Sequence, residues 1–147
     1  MDKITLSRIT AFARADDLRP LAQKAAAGKN VAVLKEPEKT MVLLQVREPV
    51  KQSCFFLGEL LAVQCTVEVD GARGAAVQMG DDLSKVLDAA VLDAVHSGGC
   101  EAFAAIEPGL LRLEEERKQE EARQAAQVRR TRVRFHVLED REIEERL

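Results

Sequence analysis

With 147 residues the chain is long enough to bury one genuine core, and a formal net charge of −3 gives it no global basic surface of the kind that draws nucleic acid. No stretch reaches the roughly 18 consecutive apolar residues of a membrane span. The opening Met1-Asp2-Lys3-Ile4-Thr5-Leu6 lacks the basic start and long apolar run of a secretion signal, so a cytoplasmic protein with neither a nucleic-acid nor a membrane partner is expected. Five Phe with no Trp or Tyr imply an aliphatic core. Cys54, Cys65 and Cys100 are odd in number and widely spaced, which suggests neither a disulfide framework nor a metal site. A nucleophile would have to pair Cys54 or Cys100 with His96 or His136, and nothing nearby orients such a pair.

In chain order, residues 4–14 and 17–28 read as two short helices capping the core. The second is entered through Asp16-Asp17, holds Pro20 in its first turn and stops at Gly28. Asn30–Leu34 and Met41–Val46 are β-prone, and the intervening Glu36-Pro37-Glu38-Lys39 suggests a hairpin between them. Met41–Val46 is apolar at nearly every position, as in a strand covered on both faces by helices or by a partner protein. Glu48–Ser53, with Pro49, reads as a surface connection.

The organising stretch runs from Phe55 to Val95. Val63, Cys65, Val67 and Val69 alternate with Gln64, Thr66 and Glu68, the period of a strand with one buried face. Asp70-Gly71, with Gly74 beyond, supplies the residues of a tight turn into a second strand. From Leu83 the apolar Val86, Leu87, Ala90, Val91, Ala94 and Val95 fall on one helical stripe, which should pack on the strand face. Asp82 precedes it as an N-cap, and His96 lies in the last turn before Gly98-Gly99. Pro108 to about Arg130 reads as the longest helix, with Pro in its first turn and Ala122, Ala125 and Ala126 as a thin apolar seam. In Thr131–Leu138, Val133, Phe135 and Val137 alternate with Arg132, Arg134 and His136, a strand pattern, and the tail from Glu139 is expected to fray. The expected fold is α+β: an antiparallel sheet of four to five strands covered by helices, with a projecting C-terminal helix and strand. It forms a single domain over 1–147, divided into a helical cap (1–30), sheet and core helix (31–107), and C-terminal helix, strand and tail (108–147).

Six residues stand out as candidates for an interface or a substrate-adjacent surface: Gly58, Glu59, Gly80, Asp82, Arg132 and Arg134. Gly58 within a strand suggests a bulge or close backbone approach, and Glu59 a carboxylate paired at an interface or serving as a general acid or base. Arg129, Arg130, Arg132 and Arg134 form the one basic cluster, suited to a triphosphate or to guarding an edge strand. No residue set identifies a catalytic group or a metal site.

Phe55-Phe56 before Leu57-Gly58-Glu59, Asp70-Gly71-x-x-Gly74, Gly80-x-Asp82 opening a helix, and Ala90-Val91-Leu92-Asp93-Ala94 within it resemble the PhnG family, the small subunit of the carbon-phosphorus lyase system. Pro37-Glu38 with Met41-Val42 and Arg47, and Thr131-Arg132-Val133-x-Phe135, extend the resemblance over roughly residues 35–138. It implies an accessory role in displacing adenine from ATP by an alkylphosphonate to give a ribose 1-alkylphosphonate 5-triphosphate, with no cofactor of its own and with ATP and Mg²⁺ as substrate of the complex. The implied partners are the PhnI-like nucleosidase subunit and the PhnH, PhnJ and PhnL-like subunits. Three departures bear on this. Glu48–Ser53 lacks the family's glycine-rich loop, Val63-Gln64 stands where the family tends to carry Thr-Arg, and Gly80-Asp81-Asp82 stands in place of Gly-Arg-Asp. These losses support an alternative, a non-catalytic assembly or regulatory module that keeps the fold alone.

Overall fold

The computed structural model of the chain describes residues 1–99 and 101–133. Its elements are α1 (Lys3–Phe12), α2 (Ala15–Ala26), β1 (Val31–Arg47), β2 (Cys54–Val69), β3 (Ala72–Met79), α3 (Leu83–Ser97) and α4 (Glu101–Arg130). The strands form one antiparallel sheet in the order β1-β2-β3, with β2 in the centre. The chain divides into two compact units, Met1–Arg117 and Lys118–Leu147, and α4 runs from the first into the second.

The class is α+β as expected, but among the described residues the sheet has three strands where four to five were expected. The hairpin expected across Glu36–Lys39 does not form, because β1 continues straight through it as one strand of 17 residues. No residue there takes the left-handed backbone a tight turn needs. Pro37 lacks a donor but is tolerated because β1 lies at the sheet edge, and register shifts between Val33 and Lys35 and between Lys35 and Glu38 absorb the irregularity. At the C-terminal end, Thr131 to Val133 form no strand, and the rest of the expected strand lies outside the described residues, Arg134 included.

One sheet face carries the core. Val63, Cys65, Val67 and Val69 are buried against Val86, Ala90, Val91, Ala94 and Val95 of α3, while Leu83, the first residue of the helix, remains exposed. The Cys65 thiol donates to the Lys35 carbonyl at 3.4 Å, and burial pushes its pKa up. Gly74 was expected in the turn, yet the positive φ values fall at Asp70 and Gly71, and Gly74 lies within β3. Its role is contact: a Cβ there would collide with the backbone of Ala94 and Ala90, so α3 rests directly on the strand.

Leu6, Ile9, Leu18, Ala22 and Ala25 of α1 and α2 complete this core. Helix α4 begins at Glu101, earlier than the expected start at Pro108, because Phe103, Ile106 and Leu110 are all buried on helical spacing. Their packing outweighs the backbone bond Pro108 cannot make. Pro20 likewise falls inside α2, beyond its first turn. Glu114 is buried and held by Arg117 at 2.9 Å and Arg8 at 3.2 Å, which ties α4 to α1 within the first unit.

Candidate interface at the end of the sheet

The three strands differ in length, and that difference creates the site. β3 has 8 residues against 16 in β2 and 17 in β1. Its last residue, Met79, pairs with Ala62, after which the Gly80 N–H donates to the Leu61 carbonyl at 3.0 Å and the chain departs toward α3. Beyond that point Met41–Arg47 and Cys54–Leu61 continue as a two-stranded ribbon. Its turn is well organised: the Glu48 carboxylate accepts the N–H groups of Val50 at 2.6 Å and Lys51 at 2.5 Å, Glu48 N–H donates to the Ser53 carbonyl at 2.9 Å, and Gln52 supplies φ 58°. Glu48–Ser53 is thus a hairpin turn at the surface, with Val50 exposed at its tip.

Alternation distributes the ribbon's side chains over two faces. Met41, Leu43, Phe56 and Leu61 continue the sheet's core face past the end of α3, while Val42, Leu60 and Phe55 lie on the other. A bulge between Leu44 and Gln45 leaves Leu57 as the extra residue of β2 beside Gly58. Phe56 is 65% exposed, Leu57 63%, Leu43 57% and Met41 55%, with Val77 and Met79 adding exposed apolar surface on β3. Single exposed hydrophobes are ordinary, but so many on neighbouring strands are the pattern of an interaction site.

Two of the six candidate residues lie on the ribbon, and two lie where β3 gives way to α3. Gly58 and Glu59 lie on the ribbon, and Gly80 faces Leu61, two residues from Glu59, with Asp82 just beyond. Gly58 adjoins the expected bulge, but the space where its Cβ would stand is open, so no close approach within the chain demands glycine. Glu59 is the one charged residue in Cys54–Leu61. Gly80 turns the chain with φ 111°.

Asp82 is the helix cap: its Oδ1 accepts the N–H groups of Lys85 at 2.9 Å and Ser84 at 3.1 Å, and these bonds hold its carboxyl below the usual range. Arg132 belongs to the second unit, where its N–H donates to the Arg129 carbonyl at 3.4 Å. Arg129 and Arg130 occupy the last turn of α4, a position where cations favour the helix dipole.

Residue-by-residue reading found the two-faced apolar run in β1 but not its partner in Phe55–Leu57. The available signal was three consecutive large apolar residues at the start of a strand that alternates only from Val63 onward.

Elsewhere a cavity of ≈ 80 Å³ lies between α1, β3 and α3, lined by Lys3, Thr10, Gln78 and Asp93. The Gln78 amide donates to the Thr10 carbonyl at 3.0 Å, and Asp93 accepts the Ala75 N–H at 3.0 Å and pairs with Lys3 at 3.1 Å. This cavity is far below the several hundred cubic ångströms of a nucleotide cleft. Among the described residues no group of three His, Cys, Asp or Glu side chains converges as metal ligands, and no helix is long and apolar enough to cross a membrane.

Comparison with curated proteins gives no match. A family model described as "Phosphonate metabolism protein PhnG" matches residues 4–139, from α1 onward and so well upstream of the motifs near Pro37. That match spans the ribbon, the capped helix and nearly all of the chain, and the protein belongs to the PhnG family of phosphonate metabolism proteins.

Proposed function

We propose that this chain is an accessory subunit of the carbon-phosphorus lyase core complex, assisting displacement of adenine from ATP by an alkylphosphonate to give ribose 1-alkylphosphonate 5-triphosphate. Its partner is a PhnI-like nucleosidase subunit, with PhnH, PhnJ and PhnL-like subunits in the same system. ATP with Mg²⁺ is the substrate of the complex.

The observation that carries this reading is the apolar ribbon of Met41–Arg47 and Cys54–Leu61, exposed on both faces. Substitution at an anomeric carbon requires a site that steadies an oxocarbenium-like centre and neutralises a triphosphate. In this division of labour the large subunit supplies those groups, and the ribbon anchors the small subunit to it.

The test is coexpression with the large subunit. We expect a stable complex burying more than about 2,000 Å² in total, the range of obligate assemblies. Leu43→Ser with Phe56→Ser should weaken it by at least about 2 kcal/mol, as for buried interface anchors, while leaving the fold of the small subunit intact. The purified chain should release no adenine from ATP and methylphosphonate by itself, and should raise or redirect that reaction when added to the other subunits. Enzyme-like adenine release by the chain alone, or failure to bind the large subunit, would refute the assignment.

A further inference from the structure

The small cavity between α1, β3 and α3 is walled by groups whose hydrogen bonding the protein leaves incomplete. Gln78 pairs with Val63 in the sheet, shares its core-facing side and is 6% exposed. Its Nε2 donates to the Thr10 carbonyl at 3.0 Å, which fixes the orientation of the amide, since a flipped group would set oxygen against oxygen. Oε1 is thereby left buried, and no described residue donates to it. Native proteins rarely leave a buried acceptor so, because it has given up its hydration without replacement.

The backbone of β3 adds to the demand. The Gly80 N–H donates to Leu61 of β2, so by alternation Gln78 and Ala76 also direct their backbone groups at β2, while Ala75 and Val77 direct theirs to the opposite side. The Ala75 N–H follows this pattern and is taken by Asp93 Oδ2 at 3.0 Å. The Val77 N–H, on the same side and on the cavity wall, has no protein partner among the described residues. Asp93 Oδ2 also meets Lys3 Nζ at 3.1 Å, and Oδ1 takes neither bond.

We propose that this cavity is a hydration site, in which ordered water donates to Gln78 Oε1, accepts the Val77 N–H and so joins α1 to the edge of β3. Its volume of ≈ 80 Å³ has room for about two or three water molecules, each needing about 30 Å³. The mixture of groups selects water over other small guests. An ion of either sign would meet an opposing like charge, because Lys3 and Asp93 lie paired on the wall. An apolar guest would leave Oε1 and the Val77 N–H as they are. Water both donates and accepts, and it fits. The site uses no residue of the apolar ribbon and stands apart from the accessory role proposed above.

The test uses the full-length chain. In a crystal structure, water density should appear within hydrogen-bond distance of Gln78 Oε1, and pressurised xenon, which enters dry apolar cavities, should stay out. Urea denaturation gives a second reading through Ala89, a buried lining residue of α3. Ala89→Val adds two methyl groups at the cavity and should lower the urea midpoint by about 0.5 M, because displacing the water strips Gln78 Oε1 of its donor. In a Gln78→Met chain that oxygen is gone, and the same Ala89→Val substitution should leave the midpoint unchanged or raise it, as cavity filling does. Equal losses in the two backgrounds, the mark of simple overpacking, would overturn the proposal. So would xenon in the wild-type cavity, or a protein side chain bonded to Gln78 Oε1 in the crystal. Should Ala89→Val fail to fold, the two crystal readings on the wild-type chain decide the matter.

Discussion

At Gly74 a methyl group would strike the main chain of α3, and backbone cannot yield as a flexible side chain can. Gly74→Ala is therefore expected to separate helix from sheet and to cost about 3 kcal/mol or more, the upper end of overpacking penalties. Urea denaturation measures it, and a loss below about 1 kcal/mol would mean that α3 does not rest on β3 as described. In the sequence, Gly71 and Gly74 look alike, two glycines after an aspartate. Only the position of α3 separates them, since Gly71 answers to its own φ and Gly74 to a helix twenty residues further along. Local chemistry made the first legible, and tertiary contact hid the second.

Among the elements, α3 was the most legible: its apolar stripe, its Asp82 cap and its end at Gly98 follow from local pattern and capping chemistry. The cap also gives the helix a pH dependence. The Asp82 carboxyl is held below its ordinary value by the Lys85 N–H and by Ser84, so its contribution is fully present above the unfolded carboxylate pKa near 4 and fades as pH falls through the lower, folded value. Asp82→Ala should cost about 1 kcal/mol at neutral pH, with the gap to wild type closing in acid. Chemical denaturation at a series of pH values checks this, and a gap that persists unchanged at low pH would contradict it. By contrast, β1 and α4 run straight through prolines at which local pattern predicts a break. Pro37 resembled a turn and Pro108 a helix start, because local preference treats proline as punctuation. An edge position accommodated the first and the burial of Phe103, Ile106 and Leu110 overrode the second. The ribbon was half legible: Met41–Val46 showed its two apolar faces, but the shortness of β3, which exposes them, is a property of pairing and is not written in either strand alone.

For the whole molecule, the apolar core lies between Leu6 and Leu110, entirely within the first unit, while the α4 residues from Lys118 to Arg130 are exposed. That second half is sustained by contacts along the helix, such as Arg123 with Glu120 at 3.7 Å and Gln124 with Glu120 at 3.2 Å, rather than by burial. Opening of the protein therefore means opening of the first unit, and β2 records the event in its own chemistry. Cys54, at one end of the strand, is exposed, whereas Cys65 is buried with its thiol tied to Lys35 and reluctant to ionise. Because the thiolate is the reactive form, an alkylating reagent should consume Cys54 at once and reach Cys65 only when α3 lifts from the sheet. In a Cys100→Ser chain, thiol labelling should thus have two phases, the slow one accelerating with Gly74→Ala. A single fast phase would show that the sheet admits reagent without opening. One strand then carries both the start mark and the stopwatch for its own exposure, and breathing of the fold is readable from the mass of the alkylated chain.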